Sequence, residues 1–124
     1  MNYLVVAIAA FLGGSCRYLL SSLTTAFPWG TLMANLIGCF LLIWLTDYLA
    51  RILPLPKRFV LGAGTGFMGA FTTFSTFSVE TIQFINAQQY GLALLYVSCS
   101  LLGGLIFGGA GLLVAQQQQV NAHD

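Results

Sequence analysis

Apolar side chains run through this chain in four long blocks, each closed by a short polar or proline-bearing break. The first block runs from about Tyr3 to Ala26 and ends at Phe27-Pro28-Trp29. The second covers about Gly30 to Leu49 and closes at Asp47, Arg51 and Pro54-Leu55-Pro56. The third, from about Phe59 to Ile85, gives way at Asn86-Ala87-Gln88-Gln89, and the fourth, from about Tyr90 to Ala115, passes into a polar tail at 116–124. A helix needs about 20 residues to cross a hydrocarbon layer of about 30 Å at 1.5 Å per residue. Each block meets that length. The pattern predicts a single all-α integral membrane domain with transmembrane helices over 3–26, 30–49, 59–85 and 90–115, and no attached soluble domain.

Composition narrows the classes further. Of 124 residues, four are Lys or Arg, three are Asp or Glu, and 58% are apolar. A soluble domain of this length carries roughly thirty charged residues, so a soluble enzyme and a solvated coil are both excluded. A net charge of +1 offers no basic patch for nucleic acid. Cys16, Cys39 and Cys99 lie far apart inside apolar runs and read as small packing residues rather than metal ligands or disulfide partners. The segment MNYLVVAIAAFLGG has no basic region ahead of it, so the first span is expected to stay in the mature protein. With four spans, both termini share a side with Arg51, Lys57 and Arg58, and the positive-inside rule favours placing that side in the cytoplasm. The four-residue spacings Gly62/Gly66 and Gly104/Gly108 allow helix backbones to approach closely in lipid. So small a bundle hides a polar path poorly among its own helices, and an oligomer is expected.

The stretch from Gly66 to Glu80 carries the most chemistry. Thr72, Thr73, Ser75, Thr76 and Ser78 crowd into the middle of a span, and Phe67, Phe71, Phe74 and Phe77 recur at helical spacing along one stripe. Gly69-Ala70 followed by two threonines is a poor place for a straight helix, because hydroxyls compete for backbone carbonyls. A helix broken at the midplane frees carbonyls to coordinate a cation. Phenylalanine ring edges are electropositive and can border an anion, with hydroxyl donors replacing part of its hydration shell. A packing face of aromatics, with Ser and Thr bonded back to their own helix, explains the same residues. Asn35 offers two N–H donors within a span, for an anion or for a neighbouring helix. Arg17 is costly in hydrocarbon unless it faces water or pairs with Asp47 or Glu80 of a neighbour. No P-loop, metal-ligand spacing or nucleophilic triad is present, which speaks against catalysis.

Three motifs in order, Gly14-Ser15-Cys16-Arg17-Tyr18, Gly30-Thr31-Leu32 through Asn35 to Gly38, and Thr72-Thr73-Phe74-Ser75-Thr76-Phe77 with Glu80, resemble the small bacterial fluoride channels of the Fluc (CrcB) family over essentially the whole chain. The resemblance implies an antiparallel, dual-topology homodimer in the bacterial cell membrane, with two fluoride pores and a central structural sodium ion that is not transported. Carried over by position, the backbone carbonyls of Gly69 and Thr72 would hold the sodium. Phe74 and Phe77 would give ring edges to the pore, Ser75 and Thr76 a polar track, and Asn35 a donor to fluoride. Arg17 would sit near the pore mouth, with Tyr96, Ser100 and Glu80 as further lining. Ala70 stands where the family usually has a second glycine. If that position needs a positive φ, the break geometry would shift. The function expected is passive fluoride efflux. A small dual-topology exporter of organic cations shares the size and helix plan, with Glu80 its one placed carboxylate, and a non-transporting helper subunit is the third reading.

Overall fold

The computed structural model describes residues 2–22 and 25–123. Helix α1 is Asn2–Ser21. The expected end of the first span reaches Leu23 and Thr24, which lie outside the described residues. Helix α2 is Trp29–Trp44, extended by a π-helical turn over Leu45–Leu49 and a short turn Ala50–Ile52. The third apolar block is not one helix. Its first half, α3, combines Lys57–Leu61, a π-helical stretch Gly62–Met68 and Gly69–Phe71, and its second half, α4, is Phe74–Asn86. Between the halves, Thr72 and Thr73 take extended backbone, with ψ 153° and 128°. Helix α5 runs over Tyr90–His123. Among the described residues three helices are long and apolar enough to cross a membrane: Asn2–Ser21, Trp29–Leu49 and Tyr90–Asn121, with mean hydropathy 1.7, 1.7 and 2.0. The bent α3–α4 pair is the fourth apolar element.

Two departures from the sequence pattern follow from local chemistry. The Phe67–Phe71–Phe74–Phe77 stripe is split by the break, leaving Phe67 stacked on Phe71 with centroids 5.8 Å apart and Phe74 tilted against Phe77 at 5.8 Å. The fourth helix does not end at Ala115. It continues through Gln116–Gln119, where Trp44 Nε1 donates to Gln118 Oε1 at 2.8 Å and Gln119 Nε2 donates to the Asp47 carbonyl at 2.7 Å. Glutamine is a fair helix former, and these two side chains anchor the last turns to the end of α2.

Helix α2 is the centre of the packing. One side of it joins Leu32 and Leu36 to Phe84, Ala93 and Tyr96 of α4 and α5, and the other joins Ala34 to Met68 and Phe71 of α3. Helix α1 closes on α3, where a Cβ at Gly66 would lie 2.7 Å from the Val6 carbonyl oxygen. Helix α5 closes on α2 the same way at Gly111, whose added Cβ would meet the Phe40 carbonyl oxygen at 2.6 Å. Glycine is required at such backbone-to-backbone contacts. Outward faces are apolar, with Phe11, Leu19, Leu94, Leu101, Leu105 and Ile106 exposed as lipid contact requires.

Candidate functional site: a helix break bordered by polar side chains

The break is held open by one amide. Asn35 Nδ2 donates to the Thr73 carbonyl at 2.9 Å, and the Thr73 N–H donates to Asn35 Oδ1 at 2.7 Å. Thr73, 7% exposed, then caps α4, its Oγ1 accepting from the Thr76 N–H at 3.2 Å and donating to Thr76 Oγ1 at 3.1 Å. In an unbroken helix the N–H groups of Thr73 and Thr76 would bond the carbonyls of Gly69 and Thr72. Here both donors are redirected, one to Asn35 and one to the Thr73 hydroxyl. The two carbonyls singled out in the sequence are therefore among those at the break that lose their usual partners. Gly69 sits at φ −63°, and Gln88 is the one non-glycine residue with positive φ among those described. Ala70 thus occupies ordinary helical backbone, and its replacement of glycine needs no strained conformation.

Beside the break lies a cavity of about 450 Å³ lined by Asn35, Gly38, Cys39, Leu42, Gly69, Thr72, Thr73, Phe74, Phe77, Ser100 and Leu101. Phe74 is 79% exposed. Ser100 Oγ is buried with no hydrogen-bond partner among the described residues. One Asn35 N–H is spent on Thr73, and an amide carries two, so a second donor remains.

One helical turn from this level lies another. Thr31 Oγ1 donates to Glu80 Oε1 at 2.8 Å, and the Tyr96 hydroxyl donates to Glu80 Oε2 at 2.6 Å. Tyr96 and Thr31 are almost wholly buried, at 0% and 1% exposure. The Phe77 ring lies 5.1 Å from Tyr96, linking the two levels. Beyond them Glu80 lines a second cavity of about 310 Å³ with Thr25, Ala26, Pro28, Gln83, Phe84, Ala87 and Gln89. Helix α2 supplies Thr31 and Asn35, α4 with its cap supplies Glu80 and Thr73, and α5 supplies Tyr96 and Ser100. The result is a polar column through an apolar bundle.

Of the residues singled out in the sequence, Asn35, Gly69, Thr72, Phe74, Phe77 and Ser100 meet at the first cavity. Ser75 and Thr76 do not line it; they join the cap, with Ser75 Oγ 3.2 Å from Thr73 Oγ1. Tyr96 and Glu80 form the second level. Arg17 stands apart on α1, in a groove with Phe11, Gly14, Ser15 and Tyr18. Within this chain Asp47 binds Arg51 at 2.6 Å. Thr31, Thr73, Gly38 and Cys39 are additions. Thr31 was legible, lying one turn before Asn35 on the same face.

A sequence model of the family described as CrcB-like protein, Camphor Resistance (CrcB), matches residues 4–112. The chain belongs to this CrcB family. This CrcB chain is therefore a multi-pass membrane protein and not an enzyme. Its relatives include the fluoride-specific ion channel FluC 1 of Bacillus cereus (strain ATCC 14579), 56% identical over 114 residues, covering 88% of this chain and 79% of that one. FluC 1 of Latilactobacillus sakei (strain 23K) is 46% identical over 106 residues, covering 83% and 78%. FluC 2 of Listeria monocytogenes (strain F2365) is 43% identical over 119 residues, covering 94% and 92%.

Proposed function

We propose that this CrcB chain is a fluoride-selective channel that lets a bacterial cell lose fluoride passively. In this reading all four apolar elements cross the membrane and the α3–α4 break lies near its midplane. Two such chains pair antiparallel around a structural sodium ion. The observation that carries the reading is the column from Asn35 and Ser100 past Phe77 to Thr31, Tyr96 and Glu80, since polar and ionisable groups within spans are costly and mark ion pathways. Fluoride is a small, strongly hydrated anion, so a pore for it must replace water in steps, each weak enough to release the ion. The spare Asn35 N–H, the unpartnered Ser100 hydroxyl and the ring edges of Phe74 and Phe77 supply the first step. The hydroxyls of Thr31 and Tyr96 supply the next, sharing their donors between Glu80 and the passing ion.

Sodium fits the break. It takes oxygen donors, and Gly69 and Thr72 are the carbonyls whose helical N–H partners are redirected. One pair from each of two chains makes four oxygens. When bound, the ion supplies a fixed positive charge and ties the two chains together.

The test is fluoride release from vesicles reconstituted with the purified chain, read with a fluoride electrode beside chloride-loaded controls. Fluoride loss without chloride loss is expected. Silence for both ions in a folded dimer would sink the channel reading in favour of an organic-cation exporter built on Glu80, the one carboxylate held inside the bundle.

A further inference from the structure

Helix α2 carries a buried glycine at 38, one turn beyond Asn35. Glycine weakens a helix interior relative to alanine. The backbone gives no reason for it here, since no glycine among the described residues has a positive φ. The reason lies across the helix interface. A Cβ added at Gly38 would run into Cγ2 of Thr72 and reach Phe71 Cδ1 at 3.7 Å. Gly66 and Gly111 admit the backbone of a packed helix, whereas Gly38 admits one methyl group of a residue at the break.

That methyl is not free to swing aside. The Thr72 hydroxyl donates to the Met68 carbonyl at 2.9 Å, and the Thr72 N–H donates to the same carbonyl at 3.0 Å. Threonine is stiff at χ1, so turning Cγ2 away would break the hydroxyl bond inside an apolar bundle. With the N–H and the side chain fixed, the remaining freedom is the rotation of the peptide that leads to Thr73. Asn35 removes it, because Oδ1 accepts from the Thr73 N–H at 2.7 Å. In a trans peptide the C=O and the N–H that follows share a plane and point in opposite directions. The Thr72 carbonyl therefore points away from Asn35. Ala34, wholly buried, packs against Phe71 just before the break. One side of α2 thus seats Phe71 at Ala34, Thr72 at Gly38 and Thr73 at Asn35.

We infer that Gly38 is a positioning residue for the ion at the break: its missing side chain is a socket for the Thr72 methyl, and the socket and Asn35 together aim the Thr72 carbonyl. The inference rests on the sodium reading proposed above. Asn35 turns the peptide plane, and Gly38 sets where that plane starts. A methyl group at 38 pushes Thr72 off α2 and carries its carbonyl along. Overpacking of this size is felt as about tenfold or more in an equilibrium.

The test compares the unaltered chain, Gly38→Ala, Thr72→Ser and the two substitutions combined, all purified without sodium. Each is unfolded by heat in detergent, in potassium and in sodium at equal ionic strength. Serine keeps the hydroxyl for the Met68 carbonyl and lacks the methyl. Sodium is expected to raise the midpoint of the unaltered chain. In Gly38→Ala that rise is expected to need about tenfold more sodium, and fluoride release from vesicles should fall with it. Thr72→Ser leaves the socket empty and keeps part of the rise. In the combined variant the alanine methyl takes the space the threonine methyl left, and both the rise and the fluoride release return. If Gly38→Ala does not fold, folding of the combined variant with its sodium rise supports the socket. A general packing defect would instead lower the Gly38→Ala midpoint equally in both salts and leave the rise intact. That result overturns the inference and spares the sodium and channel readings. A combined variant no better than Gly38→Ala overturns it as well. An unaltered chain indifferent to sodium overturns the sodium reading and this role of Gly38 with it, while its fluoride release still decides the channel.

Discussion

At two of the places where this molecule leaves regular α-helical geometry, a side-chain amide from another helix takes up the backbone. At the end of α2 the chain swells into a π-turn over Leu45–Leu49, and Gln119 donates to the Asp47 carbonyl. Between α3 and α4 the chain parts completely at Thr72-Thr73, and Asn35 bonds both the N–H and the carbonyl of Thr73. The first site lies at the charged end of the bundle, beside the ion pair of the exposed Arg51 with Asp47, so its amide is one partner among several. The second is enclosed in an apolar bundle, where an unpaired backbone group has no substitute. An amide on a polar rim therefore anchors, whereas the same group inside the bundle determines whether the break exists. The comparison predicts unequal consequences.

The largest effect belongs to Asn35→Ala. It leaves the buried Thr73 N–H and carbonyl without their amide, at a cost of about 2–4 kcal/mol. It also lets Thr73 return its N–H to Gly69 and heal the helix. Fluoride flux is expected to vanish, with a lower midpoint in thermal unfolding in detergent. Asn35→Asp separates the two effects: it keeps an acceptor for the Thr73 N–H but sets a carboxylate oxygen against the Thr73 carbonyl. Flux close to normal in Asn35→Ala would show that the amide does not hold the break.

Next come Phe74→Ile and Phe77→Ile. Phe74 is largely exposed and lies against Phe77, while Phe77 packs on Tyr96. The first should be nearly neutral for folding and the second cost about 1–3 kcal/mol. Both should suppress fluoride release from vesicles while the protein still elutes at its normal volume. Normal flux in both variants would defeat the ring-edge role, leaving the aromatics as packing.

Much of this arrangement was legible in the sequence, and the parts that were not share a cause. Block lengths indicated four apolar elements, and Gly69-Ala70-Phe71-Thr72-Thr73 marked the break because hydroxyls and small residues weaken a helix locally. Asn35 stood out because an amide within a span must find partners, but which partners depends on packing between α2 and α4. Thr31 and Tyr96 were each visible as polar groups in apolar runs. Their meeting at Glu80 depends on three helices aligning at one turn. The helical tail was hidden for another reason: glutamine reads as solvent-loving in one dimension, and its bonds to Trp44 and Asp47 span more than seventy residues. Ser75 and Thr76, placed on the pore by resemblance alone, turn their hydroxyls to Thr73 Oγ1 in the α4 cap, a local bond that a motif match does not reveal.

The rim anchor should matter less. Gln119→Ala removes a neutral hydrogen bond at a site water can reach, worth about 0.5–1.5 kcal/mol. Gln118→Ala frees the Trp44 indole N–H on similar terms. Unfolding in detergent should shift by a few degrees at most, and fluoride flux should stay unchanged. A flux loss matching Asn35→Ala would mean that the end of α5 sets the register of Ser100 against Asn35, and the contrast between rim and interior would collapse.

The smallest effect is expected at Ala70→Gly, and it bears on the break most directly. If the break needed a left-handed residue at this position, glycine would relieve strain and stabilise the fold. The backbone of Gly69–Phe71 is helical, and no positive φ occurs there. Glycine should instead cost about 0.5–1 kcal/mol, the usual penalty within a helical segment. Flux should persist, because Asn35 and Thr73 redirect the N–H groups at the break whatever side chain stands at 70. Thermal unfolding of Ala70→Gly beside the unaltered chain reads the sign: a higher midpoint would place strain at Ala70, and a slightly lower one would assign the break to the Asn35 amide.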